Sequence, residues 1–134
     1  MIRTSISLLG AALLAGLAMP ASAAPRDGEA ELAKATAGRT AGNPVDCIIL
    51  RNIRSSRIID KTAIVYEMNN GLIYVNRPKT GAEMLDWTDV MVTDTRTSQL
   101  CSIDVVRLFD TGIRMPTGWV GLGEFVPYPR PPKS

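Results

Sequence analysis

Two runs rich in apolar and β-branched residues, Thr62 to Met68 and Leu72 to Asn76, flank Asn69-Asn70-Gly71. Asn-Gly supplies the two left-handed positions of a type I′ turn, so this stretch reads as a β-hairpin. With Asn70-Gly71 as the turn, Met68 faces Ile73 and Tyr66 faces Val75, with Ile64 on the same side. Period two recurs elsewhere. Leu100 to Phe109 has apolar content on both faces, which suits a central strand or one wrapped in a barrel. Trp87 to Thr93 and Gly118 to Val126 add two more strands, the second bent at Gly121 and Gly123, as strand glycines often mark corners. Between Cys47 and Asp60 the pattern predicts a short helical or 3₁₀ turn over Leu50–Ser55, then a strand over Arg57–Ile59. The fold class expected is all-β in the main: a small antiparallel β-barrel or roll with at most a short helical turn.

The ends of the chain read differently. Arg3 precedes a Leu/Ala-rich run from Ile6 to Met19, shorter than the roughly 20 apolar residues that span a bilayer. Pro20 breaks the run, and Ala21-Ser22-Ala23 offers the small residues that a signal peptidase accepts. Residues 1–23 therefore read as a secretion signal cleaved after Ala23, with a retained short anchor as the alternative. The expected location is periplasmic or secreted, with no stable membrane insertion after cleavage. Of the 134 residues this leaves 111, enough for one small domain. Residues 24–43 contain one large apolar residue, Leu32, and are expected to form a flexible leader in which Glu29–Ala37 is at most a nascent helix. Residues 127–134 hold four prolines and are expected to be an extended, disordered tail. The folded part is then a single β domain over 44–126. In an oxidising compartment the two cysteines, Cys47 and Cys101, are expected to form a disulfide that closes most of that domain into one loop.

The composition also bounds the chemistry. The chain has no histidine, which removes the commonest general base and metal ligand. Its net charge of +2, from 15 basic and 13 acidic residues, lacks the basic excess of a nucleic-acid binder. Trp87, Trp119 and three tyrosines are too few for a base-stacking platform. Asp86, Asp89 and Asp94 are near one another in sequence but do not follow calcium-loop spacing, and they read as loop carboxylates. Gly121-Leu-Gly123 lacks the third glycine of a dinucleotide fingerprint. Ser55-Ser56 with Lys61 or Lys79 gives a formal Ser–Lys pair that nothing singles out. Arg51, Arg54 and Arg57 recur every third residue and would share one broad sector of a helical turn. Arginine suits carboxylate and phosphate recognition, but these three also suit local pairing, Arg57 with Asp60 for example.

Cys47-Ile48-x-Leu50-Arg51-x-Ile53-x-Ser55-x-Arg57-Ile58-Ile59-Asp60, with Thr62 and Tyr74-x-Asn76, resembles a family of small exported proteobacterial proteins of unknown function. Leu100-Cys101-Ser102-x-Asp104 and Gly121-Leu122-Gly123-x-Phe125-x-Pro127 continue the resemblance, which covers residues 47–127. It implies an envelope or secreted domain built on a disulfide scaffold. It also implies a second cysteine pair in relatives, after the hairpin and before Gly121, where this chain has none. The function expected is a non-catalytic binding or structural module of the bacterial envelope, without cofactor or metal. Its partner would be an envelope protein or an anionic ligand. The alternatives are binding of an anionic envelope polymer through the Arg51/Arg54/Arg57 face, and a hydrolase using carboxylates or a Ser–Lys pair.

Overall fold

The structure, a computed structural model, describes residues 15–18 and 25–133. The expected signal sequence over 1–23 falls outside the described residues apart from 15–18, as does the expected cleavage site after Ala23. Among the described residues the chain forms one α-helix, α1 (Gly28–Ala35), and nine strands: β1 (Cys47–Ile49), β2 (Ile53–Ile59), β3 (Ala63–Met68), β4 (Ile73–Asn76), β5 (Val90–Thr93), β6 (Gln99–Cys101), β7 (Val105–Asp110), β8 (Met115–Gly121) and β9 (Phe125–Tyr128). All pairing is antiparallel, in sheets ordered β2-β3-β4-β9, β5-β7-β8 and β1-β6. The mainly-β expectation holds, but the sheets do not close into a barrel. The four-stranded and three-stranded sheets share a core in which Ile64, Tyr66 and Phe125 meet Val106, Leu108 and Val120. The two-stranded ladder adds Ile48 and Leu100 to it.

The hairpin forms where expected, with a register one residue away from the expected one. Tyr66 pairs with Tyr74 and Val65 with Val75. Met68 N–H donates to the Leu72 carbonyl at 2.8 Å, so the loop has three residues, Asn69, Asn70 and Gly71. Only Gly71, at φ 84°, is left-handed in this loop. A type I turn followed by a left-handed glycine is the usual three-residue alternative to the two-residue turn. The shift decides the faces. Ile64, Tyr66, Tyr74 and Phe125 point into the main core, and Val65 and Val75 point to the outside of the sheet.

That outer face is covered by α1, so the segment expected to be a flexible leader is a docked element. Leu32 is buried against Ile59, Ala63, Val65 and Val75. The helix needs only one large apolar residue because the sheet supplies the rest of the contact. Asp27 caps it by accepting from the Ala30 N–H at 3.2 Å, and Glu29 accepts from Arg77 at 2.8 and 3.0 Å.

Three strand expectations change. Leu100–Phe109 is broken by a turn in which Asp104 N–H donates to the Cys101 carbonyl at 3.0 Å, separating β6 from β7. Gly118–Val126 divides into the end of β8 and the start of β9, in different sheets. Gly123 makes the corner, because a Cβ there would meet the Arg77 carbonyl, and the buried Asn76 amide holds it through bonds of 2.7 and 2.9 Å to the Gly123 backbone. The proline-rich tail is strand at its beginning, where Pro127 pairs with Tyr74 and Tyr128 with Ile73. Proline is tolerated because Phe125 turns its N–H away from β4, toward Val45, and Pro127 lies two residues on in the same orientation.

Candidate functional site

Cys47 and Cys101 form the expected disulfide, joining directly opposed residues of β1 and β6 with Cα atoms 4.0 Å apart. The same ladder is held by a Ser102–Asp46 side-chain hydrogen bond and by Ser102 N–H to the Asp46 carbonyl at 2.8 Å. The cysteines serve the scaffold.

The three arginines do not share a helical turn. The 3₁₀ segment covers only Leu50–Asn52 and carries Arg51, whose carbonyl accepts from the Asn69 side chain at 3.4 Å. Arg54 lies at the irregularity of β2 and is paired with Glu67. Arg57 sits further along β2 opposite Val65, with no carboxylate partner among the described residues. The set therefore divides into a turn residue, a paired residue and a strand cation, and neither Arg51 nor Arg57 has a carboxylate partner among the described residues.

The carboxylates are also separate. Asp86 accepts from the Thr88 hydroxyl and N–H at 2.6 and 2.8 Å, and the hydroxyl bond chiefly holds its carboxyl below the usual value. Asp89 accepts from Thr117 at 2.5 Å, and Asp94 lies 3.9 Å from Arg107. Ser55 donates to Glu67 at 3.4 Å from the opposite end of β2 to the turn that holds Lys61. Burial pushes the Tyr66 phenol far above its ordinary range, which fixes it as a neutral core group. A cavity of about 470 Å³ lies between β1 and the end of the β3–β4 hairpin, lined by Asn52, Asn69, Asn70, Gln99, Leu72 and Tyr74 among others. Amides and aliphatic groups can hold a ligand there, but the lining offers no group poised to move protons near neutral pH.

The feature with most binding potential is the outer face of the three-stranded sheet. Strand alternation sends Met91, Val106, Leu108 and Val120 inward and the intervening residues outward. The register sets Val90 beside Phe109 and Pro116, and Val92 beside Arg107 and Trp119, with Val105 in the next row. Val90 is 44% exposed, Val92 41%, Val105 49% and Trp119 46%. No helix covers this face among the described residues, in contrast to the α1-covered face of the four-stranded sheet. The sequence signal was the apolar content on both faces of 100–109. The expected barrel would have buried both.

No protein-family model, curated protein or solved structure matches this chain.

Proposed function

We propose that the protein is an exported, non-catalytic binding module of the bacterial envelope, and that it engages a protein partner through the outer face of β5-β7-β8. The supporting observation is the contiguous row structure of that face, in which Val92, Arg107 and Trp119 lie side by side across three strands. Monomeric proteins rarely leave a connected apolar patch of this kind unless something covers it. Tryptophan and arginine at the centre of such a patch are the residue types that dominate interface energies. A partner with an apolar surface and a carboxylate opposite Arg107 matches it. Arg107 is 62% exposed and its own carboxylate, Asp94, is at the long distance of 3.9 Å.

The test is paired capture from an envelope extract. Trp119→Ser and Val92→Thr change side chains that face outward, and both should leave the thermal midpoint within a few degrees of the parent. A protein retained by the parent and lost by both variants is the expected result. Identical retention by all three proteins overturns the assignment of this face.

A further inference from the structure

The strands that border each sheet differ in how their free edges are protected. The outer side of β9 is occupied, because Val45 and Phe125 exchange backbone hydrogen bonds of 2.8 and 2.9 Å and Gly42 N–H donates to the Pro127 carbonyl at 2.8 Å. In β6 the N–H groups of Gln99 and Cys101 are taken by Thr97 and Asp104 side chains at 3.3 and 2.7 Å. β8 carries Pro116 and a register irregularity, and its end bridges to Thr80. β2 carries an irregularity and two arginines. β1 is three residues long. These are the devices by which proteins blunt an exposed edge: proline, charge, bulges, shortness and cover. β5, Val90-Met91-Val92-Thr93, has neither charge, proline, glycine nor irregularity. Beyond its ladder to β7 it makes no backbone hydrogen bond among the described residues.

This edge borders a groove. The space between β5 and β2 has a volume of about 420 Å³, with Val90 and Met91 on one wall and Arg57 and Ile58 on the other. Arg26 lies 4.5 Å from the Trp87 ring centroid and pairs with Glu31 at 3.1 Å, and both arginine and tryptophan line the groove. Asp89 is occupied by the Thr117 hydroxyl at 2.5 Å. With Arg26 paired to Glu31, Arg57 is the groove's cation without an ion pair among the described residues, and Asp89, bonded to a neutral hydroxyl, keeps its negative charge.

We propose that the free edge of β5 is a strand-acceptor site, at which an extended segment of a partner protein pairs with Val90–Thr93 and places a carboxylate side chain on Arg57. Strand addition supplies affinity through main-chain hydrogen bonds, and alternate side chains supply selectivity. β2, Arg26 and Trp87 line the groove along this edge, and its volume of about 420 Å³ is on the scale of a short extended segment rather than of a folded chain. The site shares Val90 and Val92 with the outer sheet face but uses their backbone edge and the groove, and neither of these involves Trp119.

The test uses the full mature protein and a capped synthetic hexapeptide of alternating threonine and valine with one central glutamate. Bound peptide should slow amide hydrogen exchange at alternate N–H groups of β5. Replacing the glutamate by glutamine, or Arg57→Gln in the protein, should weaken binding about tenfold, as expected for loss of a charge-assisted hydrogen bond. Two further peptides, N-methylated at one or the other alternate set of amides, probe strand pairing without altering the fold, and only one should bind. Trp119→Ser should leave peptide affinity unchanged while abolishing capture through the outer face, which separates the two readings. Unchanged exchange at millimolar peptide, equal binding of both N-methylated forms, or equal affinity for the glutamine peptide overturns the proposal. So does a peptide-free dimer with protected β5 amides, which would make the occupant a second copy.

Discussion

Lys61 occupies the third position of the tight turn between β2 and β3 at φ 51°, where Thr62 N–H donates to the Ile59 carbonyl at 3.0 Å. A lysine Cβ is crowded in the left-handed region and a glycine is not. Lys61 N–H also donates to the Leu85 carbonyl at 3.0 Å, a bond that glycine preserves. Lys61→Gly should therefore raise unfolding free energy by about 0.5–1 kcal/mol, read from the shift of the urea midpoint at constant slope. The arginines show the opposite case, in which exchange has little consequence. Arg54 and Glu67 are 55% and 37% exposed, so their pair contributes at most about 1 kcal/mol. Replacing Arg51, Arg54 and Arg57 together with glutamine should lower stability by no more than that, measured by the same midpoint.

The element least legible in the sequence is α1. Its single leucine gives no amphipathic stripe, and the information that it docks lies on the sheet, at Ile59, Ala63, Val65 and Val75. Those residues acquire a common face only once the hairpin register is set, and Asn-Gly allows two loop lengths that differ by one residue. The strands were legible because their apolar alternation is local. The barrel does not follow from the sequence, because two apolar faces on residues 100–109 do not say whether the second is covered within the chain. Leu32→Ala should cost about 2–3 kcal/mol and release α1, seen as rapid exchange of amides Leu32 to Ala35 with β3 still protected. Acid should loosen the same helix to a smaller degree, because the pair concerned is exposed. The hydrogen bond from Arg77 holds the Glu29 carboxyl below its ordinary value of 4.5. The stabilisation is therefore complete above that value and is lost as pH falls through the lowered folded value. Glu29→Gln should remove this acid-dependent step from the exchange profile of α1 without altering that of the hairpin.

At the scale of the whole molecule, two of the links that hold sequence-distant regions together differ in kind. One is covalent, Cys47–Cys101, and closes a loop spanning 54 positions that contains β2 to β5. The other is the backbone bridge between Thr80 and Gly121, with Gly121 N–H donating to the Thr80 carbonyl at 3.0 Å and Lys79 N–H to the Gly121 carbonyl at 2.9 Å. It joins residues 79–80, after the hairpin, to the end of β8 by backbone hydrogen bonds alone. Chain entropy assigns the single disulfide roughly 4 kcal/mol, because the reduced unfolded chain regains the freedom that the loop denies it. For a domain this small that is a large share of total stability. Cys47→Ser with Cys101→Ser should accordingly lower the unfolding free energy by about 3–4 kcal/mol. The loss should be read in urea against the oxidised parent, and the reduced parent should fall by a similar amount. The loop effect acts on the unfolded state, so native amide chemical shifts away from β1 and β6 should be unchanged in the double variant. Widespread native shift changes would instead mean that the bond holds the two-stranded ladder in the core. The stability loss would then come from displacing Ile48 and Leu100 as well as from chain entropy.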